Sequence, residues 1–428
     1  MLVGTTAARV GAKAVRHKLS SSPSKEAKDQ HEAEVGKLIF AAVTQLRGTA
    51  LKAAQMLSMD ASVLPEGIRV QLARASHQAL PLNRALVSRA FRQAFGREPQ
   101  SLYAHFDSEA FAAASLGQVH RARLDDGTEV AVKVQYPGIA ETIDSDLRLL
   151  RSMLRTVGGK SIGLPPDELI DQMLAEVRHQ LAEEVDYLHE AGQQAWFIEH
   201  ARHADIVMPQ VVSALTCKTV LTQQSLRGLH LDASLQQGPS QATRDRQAQA
   251  IFDWFVDCAF VRRHIHADMH LGNLLFLDDE RVGVLDFGCT RKLSMPFVRG
   301  LARSWLTWLR KGADGSSALL DNYRELGVAG LDLGLKEFEQ RILPKIAPVL
   351  GWATQPFAEE RFEFSAKTPF PMPDFDGRSQ HPASFIARLP PELLSFDRAW
   401  FGLMHLLTRL QGRVDTRAAL GKLEAAAG

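Results

Sequence analysis

Read along the chain, the apolar positions change period several times. From about Asp29 to Met59 they recur as Val35, Leu38, Ile39, Ala42, Leu46, Leu51, Met56 and Leu57, the spacing of a helix that buries one stripe. Leu64-Pro65-Glu66-Gly67 opens a second helix to about Ala75, and Pro81 to Phe95 is a third. The period then drops to two. VHRARL and EVAVKV flank Asp125-Asp126-Gly127-Thr128, and Asp-Gly between alternating runs predicts a β-hairpin. Helical spacing returns over 139–156 and 166–204. IVMPQVV and KTVLTQQSL are two strands, and 241–260 is a helix. NLLFL and VGVLDF form a second hairpin around the turn Asp278-Asp279-Glu280-Arg281. From about Pro296 the pattern is helical, with Trp305, Trp308 and Leu309 as a buried face. A Pro/Phe-rich stretch at 357–388 reads as irregular. Helices, then strands with inserted helices, then helices again make an α+β chain.

Composition changes this picture little. The chain has 428 residues, 45% of them hydrophobic, which suits two or three lobes. A formal net charge of +1 gives no pull toward nucleic acid, which is not expected as a partner. Cys217, Cys258 and Cys289 are too scattered for a metal site or disulfide framework and read as small core hydrophobes in a reducing compartment. No apolar run approaches the roughly 18–20 residues of a membrane span. The candidates near Ile251–Val261 and Phe401–Leu410 are interrupted by polar residues, so a cytoplasmic protein is expected, with membrane contact only peripheral. Residues 1–25 carry Arg9, Lys13, Arg16, Lys18 and Lys25 and no acid. A basic helix on anionic lipid, an organelle transit segment and a solvated tail all remain open for them. No signal peptide is expected.

The chemistry concentrates in HIHADMHLGNLLFLDDERVGVLDFG, residues 264–288. Asp268, Asn273 and Asp286 follow at offsets of five and thirteen residues, around the second hairpin. Phosphoryl transfer asks for such residues: one Asp to orient the acceptor, an Asn and a second Asp to hold magnesium on the phosphates. In VAVKV, Lys133 sits on a strand like a phosphate-pairing lysine, although the strand pattern equally allows an outward-facing one. The preceding loop would be glycine-rich in a protein kinase; here it holds Ala112, Ala113, Ala114 and Ser115, then Gln118 after Leu-Gly. Alanine does not reach positive φ cheaply, so a stiffer loop is expected. Glu184, Asp186 and Glu190 are candidates for the carboxylate that pairs with Lys133, and spacing does not choose among them. Gln224–Leu226 would be the hinge where adenine takes backbone hydrogen bonds. Lys52 and Gln55 share a helix face in the leading segment. After Asp-Phe-Gly a new helix starts almost at once, with no long activation segment, and His266-Ala267-Asp268 lacks the arginine of a protein-kinase loop. A peptide substrate has little to dock on.

In this order the blocks resemble the UbiB family of atypical kinases, the aarF-domain-containing proteins, from about residue 30 to the C-terminus. LRGTALKAAQ resembles the family's KxGQ motif at Lys52 and Gln55, with Ala54 in place of the glycine. AAASLGQVH resembles its Ala-rich loop, and VAVKVQYPG carries the ATP lysine, Lys133. EVDY resembles its ExD motif at Glu184 and Asp186, with Glu190 beyond. HADMHLGN and LDFG complete the set.

The resemblance implies a protein-kinase-like two-lobed fold whose helical N-terminal extension packs over the active-site cleft. The expected division is a basic segment (1–28), the extension (29–100), an N-lobe with inserted helices (101–226) and a helical C-lobe (227–428). It implies binding of ATP with magnesium and hydrolysis of ATP in support of ubiquinone synthesis or lipid metabolism. Quinone precursors, anionic lipid and quinone-biosynthesis proteins are the expected partners, at the inner membrane face. Catalytic roles fall to Asp268, Lys133 and Glu184, metal binding to Asn273 and Asp286. Nucleotide contacts fall to Ala112, Ala113, Ala114, Ser115, Gln118, Gln224, Leu226, Lys52, Gln55 and Asp186. Two alternatives stand beside this: a nucleotide-binding pseudokinase scaffold, and a small-molecule phosphotransferase, whose loop HADMHLGN also resembles.

Overall fold

The computed structural model describes residues 49, 52–54, 56, 82–114, 116–157, 167–365 and 390–428. The basic start, nearly all of the first two leading helices, Gln55, Ser115 and most of the Pro/Phe-rich stretch lie outside the described residues. The described chain gathers into two units. The first holds the residues up to His189 together with Val212–Gln223; the second holds Glu190–Val211 and the residues from Gln224 on.

In the first unit, helix α1 (Arg84–Phe95) starts where the Asn83 side chain accepts the Leu86 N–H and ends at Gly96, with φ 68°. It buries Val87, Ala90 and Phe91 on a five-stranded sheet. The strands are β1 (His105–Phe106), β2 (Ala112–Ala114), β3 (Gly117–Arg123), β4 (Glu129–Gln135) and β6 (Val220–Gln224), ordered β1-β3-β4-β6 with β2 also on β3. The predicted Asp-Gly hairpin joins β3 to β4. Gly127, at φ 86°, makes the turn, and Asp126 accepts the Thr128 N–H at 2.8 Å. Ala112–Ala114, read from sequence as a loop, form a strand, pairing with Val119, Gln118 and Gly117 of β3.

Helices α2 (Ile139–Val157) and α3 (Asp167–Glu184) are bridged by Arg151–Asp171 and Arg178–Asp144 ion pairs. The expected single helix over 166–204 is broken into α3 and α4 (Tyr187–His200). The Asp186 carboxylate accepts the Leu188 and His189 N–H groups at 3.1 and 3.2 Å, a helix-starting cap. The Tyr187 N–H turns instead to the Lys218 carbonyl, which ends the helical ladder there.

The second unit has a sheet ordered β5-β10-β9-β7, from β5 (Ile206–Val207), β7 (Gly228–Leu229), β9 (Leu274–Leu277) and β10 (Val282–Val284). The predicted hairpin is β9–β10, its turn passing through Glu280 at φ 66°. Residues 190–211 were expected inside the 101–226 lobe. They belong to the second unit because β5 pairs in parallel with β10, Ile206 opposite Val282. Helices α5 (Gln241–Val256), α6 (Met295–Lys311) and α7 (Pro391–Leu410) close the core on Phe255, Trp305, Phe396 and Trp400. Trp305 is buried as expected, while Trp308 and Leu309 are partly buried at the core's edge. A short strand β12 (Arg361–Glu363) pairs with β13 (Arg413–Asp415), so the stretch read as irregular begins with ordered backbone. Among the described residues no helix is long and apolar enough to cross a membrane.

Candidate active site

In the first unit, β4 brings Lys133 inward: it is buried, and its ammonium lies 5.2 Å from the centroid of the Tyr187 ring, a cation–π distance. The outward-facing reading of this lysine is thereby ruled out. Opposite it on β3 is Val119, and Gly117 pairs with Gln135 at the end of β4. A Cβ at Gly117 would stand 2.4 Å from the Val134 carbonyl oxygen and 2.8 Å from the Tyr187 hydroxyl, so the hairpin closes only over a glycine. The Gln135 amide donates to the Val185 carbonyl at 2.7 Å, which ties β4 to the end of α3. Glu184, the last residue of α3, is buried, and the Lys52 ammonium stands 3.0 Å from its carboxylate. Ala54, where the resembling motif has glycine, carries a fully buried methyl.

The ExD pair therefore divides its work. Glu184 faces Lys52, and Asp186 caps α4 through one of its oxygens. Glu190 is buried at the first turn of α4. Gln118, expected among the nucleotide contacts, is engaged inside its own unit. Its oxygen accepts the Leu82 N–H at 2.6 Å and its nitrogen lies 2.8 Å from the His120 ring. The Gln224 N–H donates to the Gln210 carbonyl at 2.8 Å, so this backbone donor of the expected hinge is already used; Leu226 is half-buried. Ala112 and Ala113 are exposed and Ala114 is half-buried.

In the second unit the loop after β8 (His264–His266) folds back on itself. The Asn273 amide donates to the Asp268 carbonyl at 3.0 Å and to its carboxylate at 3.1 Å. The Asn273 carbonyl in turn accepts the Leu285 N–H at 2.8 Å, which sets the residue before Asp286. Asp286 sits at φ 58°, a left-handed conformation that costs a non-glycine residue about 1–2 kcal/mol. The contacts that hold it there include the Gly288 N–H on its carboxylate at 3.2 Å and His266 Nε2 on its carbonyl at 2.8 Å. A carbonyl only accepts, so His266 carries its proton on Nε2. Its Nδ1 then accepts the Asp268 N–H at 3.4 Å. One imidazole thus joins the Asp268 loop to the Asp-Phe-Gly turn. Strain held so firmly is characteristic of functional positions.

Among the described residues no three His, Cys, Asp or Glu are grouped to hold a metal. A magnesium site needs no such cage, since it takes one or two protein oxygens and completes its shell with phosphates and water. The Asn273 nitrogen is turned to Asp268, which leaves the amide oxygen as the atom it would offer a metal, and Asp286 would offer a carboxylate. The donor set fits magnesium.

Sequence reasoning missed three participants. Tyr187 under Lys133 was hidden in EVDY. Arg398 and Gly402 of α7 touch the Asp268 loop from far along the chain, where no spacing rule points to them.

A hairpin over a strand lysine, a helix-borne glutamate, and an Asp–Asn loop tied to an Asp-Phe-Gly turn are the parts of a protein-kinase-like fold, and Ala267 in the loop marks it as atypical. The comparison with known proteins makes the class specific. The model of the ABC1 atypical kinase-like domain matches residues 74–318, more than half of the chain, and the chain belongs to that family. This bears out the UbiB resemblance. The mitochondrial atypical kinase coq-8 of Caenorhabditis elegans is 34% identical over 299 residues, 68% of this chain and 38% of that one. The mitochondrial atypical kinase COQ8 of Saccharomyces cerevisiae is 30% identical over 277 residues, 63% of this chain and 54% of its own. The chain thus spans between 38% and 54% of the length of these curated relatives. The solved structure of Rv3197 with erythromycin, from Mycobacterium tuberculosis, superposes with a TM-score of 0.61 at 25% identity, over 91% of this chain and 95% of that one.

Proposed function

We propose that this chain is an atypical kinase-like ATPase that binds Mg-ATP and supports ubiquinone synthesis rather than phosphorylating proteins. The observation that carries the chemistry is the Asn273 amide bonded to the Asp268 carboxylate, with the Asn273 carbonyl fixing the approach to Asp286. Hydrogen bonds that hold Asp268, Asn273 and the approach to Asp286 in fixed relation support this reading, since phosphoryl transfer requires an orienting carboxylate and metal donors kept in place. Magnesium supplies charge neutralisation on the phosphates when bound. Asn273 and Asp286 would hold it through oxygen, Lys133 would bind phosphate oxygens, and Asp268 would orient the attacking group. Glu184 is the acid assigned to Lys133. Its ion pair with Lys52 makes the leading helix a competitor or regulator of that pairing. The short passage from Asp-Phe-Gly to α6 offers a peptide no platform, which favours water or a small phenol or lipid as acceptor. The service to quinone synthesis rests on the family resemblance, in keeping with the names of the COQ8 relatives.

The test is ATP hydrolysis with magnesium, measured with and without cardiolipin-containing vesicles and a quinone-precursor-like phenol. Magnesium-dependent turnover raised by phenol or vesicles is expected. Nucleotide binding without turnover under every condition would favour the pseudokinase scaffold. Turnover that rises only with hydroxylated small molecules would favour the phosphotransferase.

A further inference from the structure

In protein kinases the residue before the catalytic aspartate is an arginine; here it is Ala267, and a guanidinium reaches the same loop from helix α7. Arg398 lies two turns into α7, 131 residues from Ala267. Its Nε donates to the Ala267 carbonyl at 3.0 Å, and its Nη2 stands 2.9 Å from the Cys289 sulfur. The backbone repeats the same link, the Ala267 N–H donating to the Cys289 carbonyl at 2.9 Å. One planar fork therefore spans the residue before Asp268 and the chain just after Asp-Phe-Gly. One turn further along α7, a Cβ at Gly402 would stand 2.6 Å from the Met269 carbonyl oxygen, so the helix backbone lies close against the residue after Asp268. One turn earlier, Ser395 takes a hydrogen bond at 3.2 Å from Arg291 of β11 (Thr290–Lys292). Helix α7 thus holds both neighbours of Asp268 and the strand that follows Asp-Phe-Gly.

We propose that Arg398 is a positioning residue for phosphoryl transfer, acting through Ala267 and Cys289 to fix Asp268 relative to Asp286. This rests on the ATPase reading above. The fork matters more than the charge. A lysine ammonium on the same stem is a single point and does not present two donors at fixed separation to a carbonyl and a sulfur. A loop displaced by about 1 Å is enough to cost on the order of 100-fold in rate.

The experiment uses the full chain with Arg398→Lys and Arg398→Ala, read by Mg-ATP turnover and by amide hydrogen exchange over 264–273. In both variants kcat should fall about 10–100-fold while KM for ATP changes less than about two-fold. Exchange at 267–273 should quicken while the β3–β4 hairpin stays as protected as before. Added ethylguanidinium should restore part of kcat to Arg398→Ala. A wild-type kcat in Arg398→Lys overturns the proposal. So does a joint change in kcat and KM without rescue. If Arg398→Ala does not fold, Arg398→Lys decides through the same readouts. A wild-type protein without turnover would refute the ATPase reading, and the exchange comparison would still judge the clamp: unchanged exchange over 264–273 in Arg398→Lys overturns it.

Discussion

The Lys52–Glu184 ion pair is the contact whose removal is most informative. Its atoms are 3.0 Å apart, and the side chains are 17% and 8% exposed. The helix-face reading of the sequence predicts that Lys52→Ala leaves the fold intact, since a charged side chain packs little core. The burial of its partner revises the energetics. An exposed pair is worth about 0–1 kcal/mol, whereas removing one partner of a fully buried pair costs about 3–5 kcal/mol. Lys52 keeps some water and Glu184 keeps almost none, so Lys52→Ala should cost about 2–3 kcal/mol while the chain still folds. For a unit of this size that corresponds to a melting temperature lower by about 4–12 °C. Glu184→Gln should also destabilise the protein, because the largely buried Lys52 ammonium loses its carboxylate.

The assay is thermal unfolding of wild type, Lys52→Ala, Glu184→Gln and the double variant, repeated with saturating Mg-ATP. The double variant should lose less than the sum of the singles, with a coupling of about 1–2 kcal/mol between the two positions. Lys52→Ala should also change nucleotide affinity or turnover, since the acid assigned to Lys133 loses this partner. Additive single effects, each within about 0.5 kcal/mol of wild type, would falsify the account, because that is the signature of two solvated surface groups.

Asp286→Asn removes the one carboxylate of the proposed metal donor set and should lower magnesium-dependent turnover by about 100-fold or more; unchanged magnesium-nucleotide affinity and rate would exclude the assignment. Gly117→Ala places a methyl against the Val134 carbonyl and the Tyr187 hydroxyl, and should cost about 1–3 kcal/mol and raise KM for ATP, checked by urea unfolding and steady-state kinetics. His120 is buried against Phe106, with Nδ1–H on the Asp107 carbonyl and Nε2 facing the Gln118 amide, and burial pushes its pKa below the usual 6.5. The unfolded chain therefore takes up a proton first as pH falls, so the stabilisation is complete above about pH 6.5 and is lost below it. A His120→Gln variant should flatten that part of the melting-temperature profile between pH 7 and pH 5, and a profile as steep as wild type would rule the group out.

What the sequence makes legible here is local. The Asp-Gly turn of β3–β4 needs only Gly127 at positive φ, so neighbouring residues suffice to call it. The spacing of Asp268, Asn273 and Asp286 leads directly to the loop in which Asn273 bonds Asp268. The misses have a common physical origin in contacts between distant parts of the chain. Asp186 looks like one more acid in a long helix, because the event that breaks the helix is a hydrogen bond from Tyr187 to Lys218. IVMPQVV reads as a strand within the 101–226 division, because nothing in it shows that Ile206 will pair with Val282.

Ala267 shows the same limit from the other side. Alone, it reads as the loss of a cation from the catalytic loop. Its backbone carbonyl nevertheless takes a donor, which comes from Arg398 on a helix whose own periodicity signals only burial. A motif therefore specifies the groups that act, while the groups that hold them still can come from any element able to approach closely. Gly402 permits that approach here: without a side chain, α7 lies against the Met269 carbonyl, and its fork reaches both sides of the Asp-Phe-Gly turn's link to Asp268.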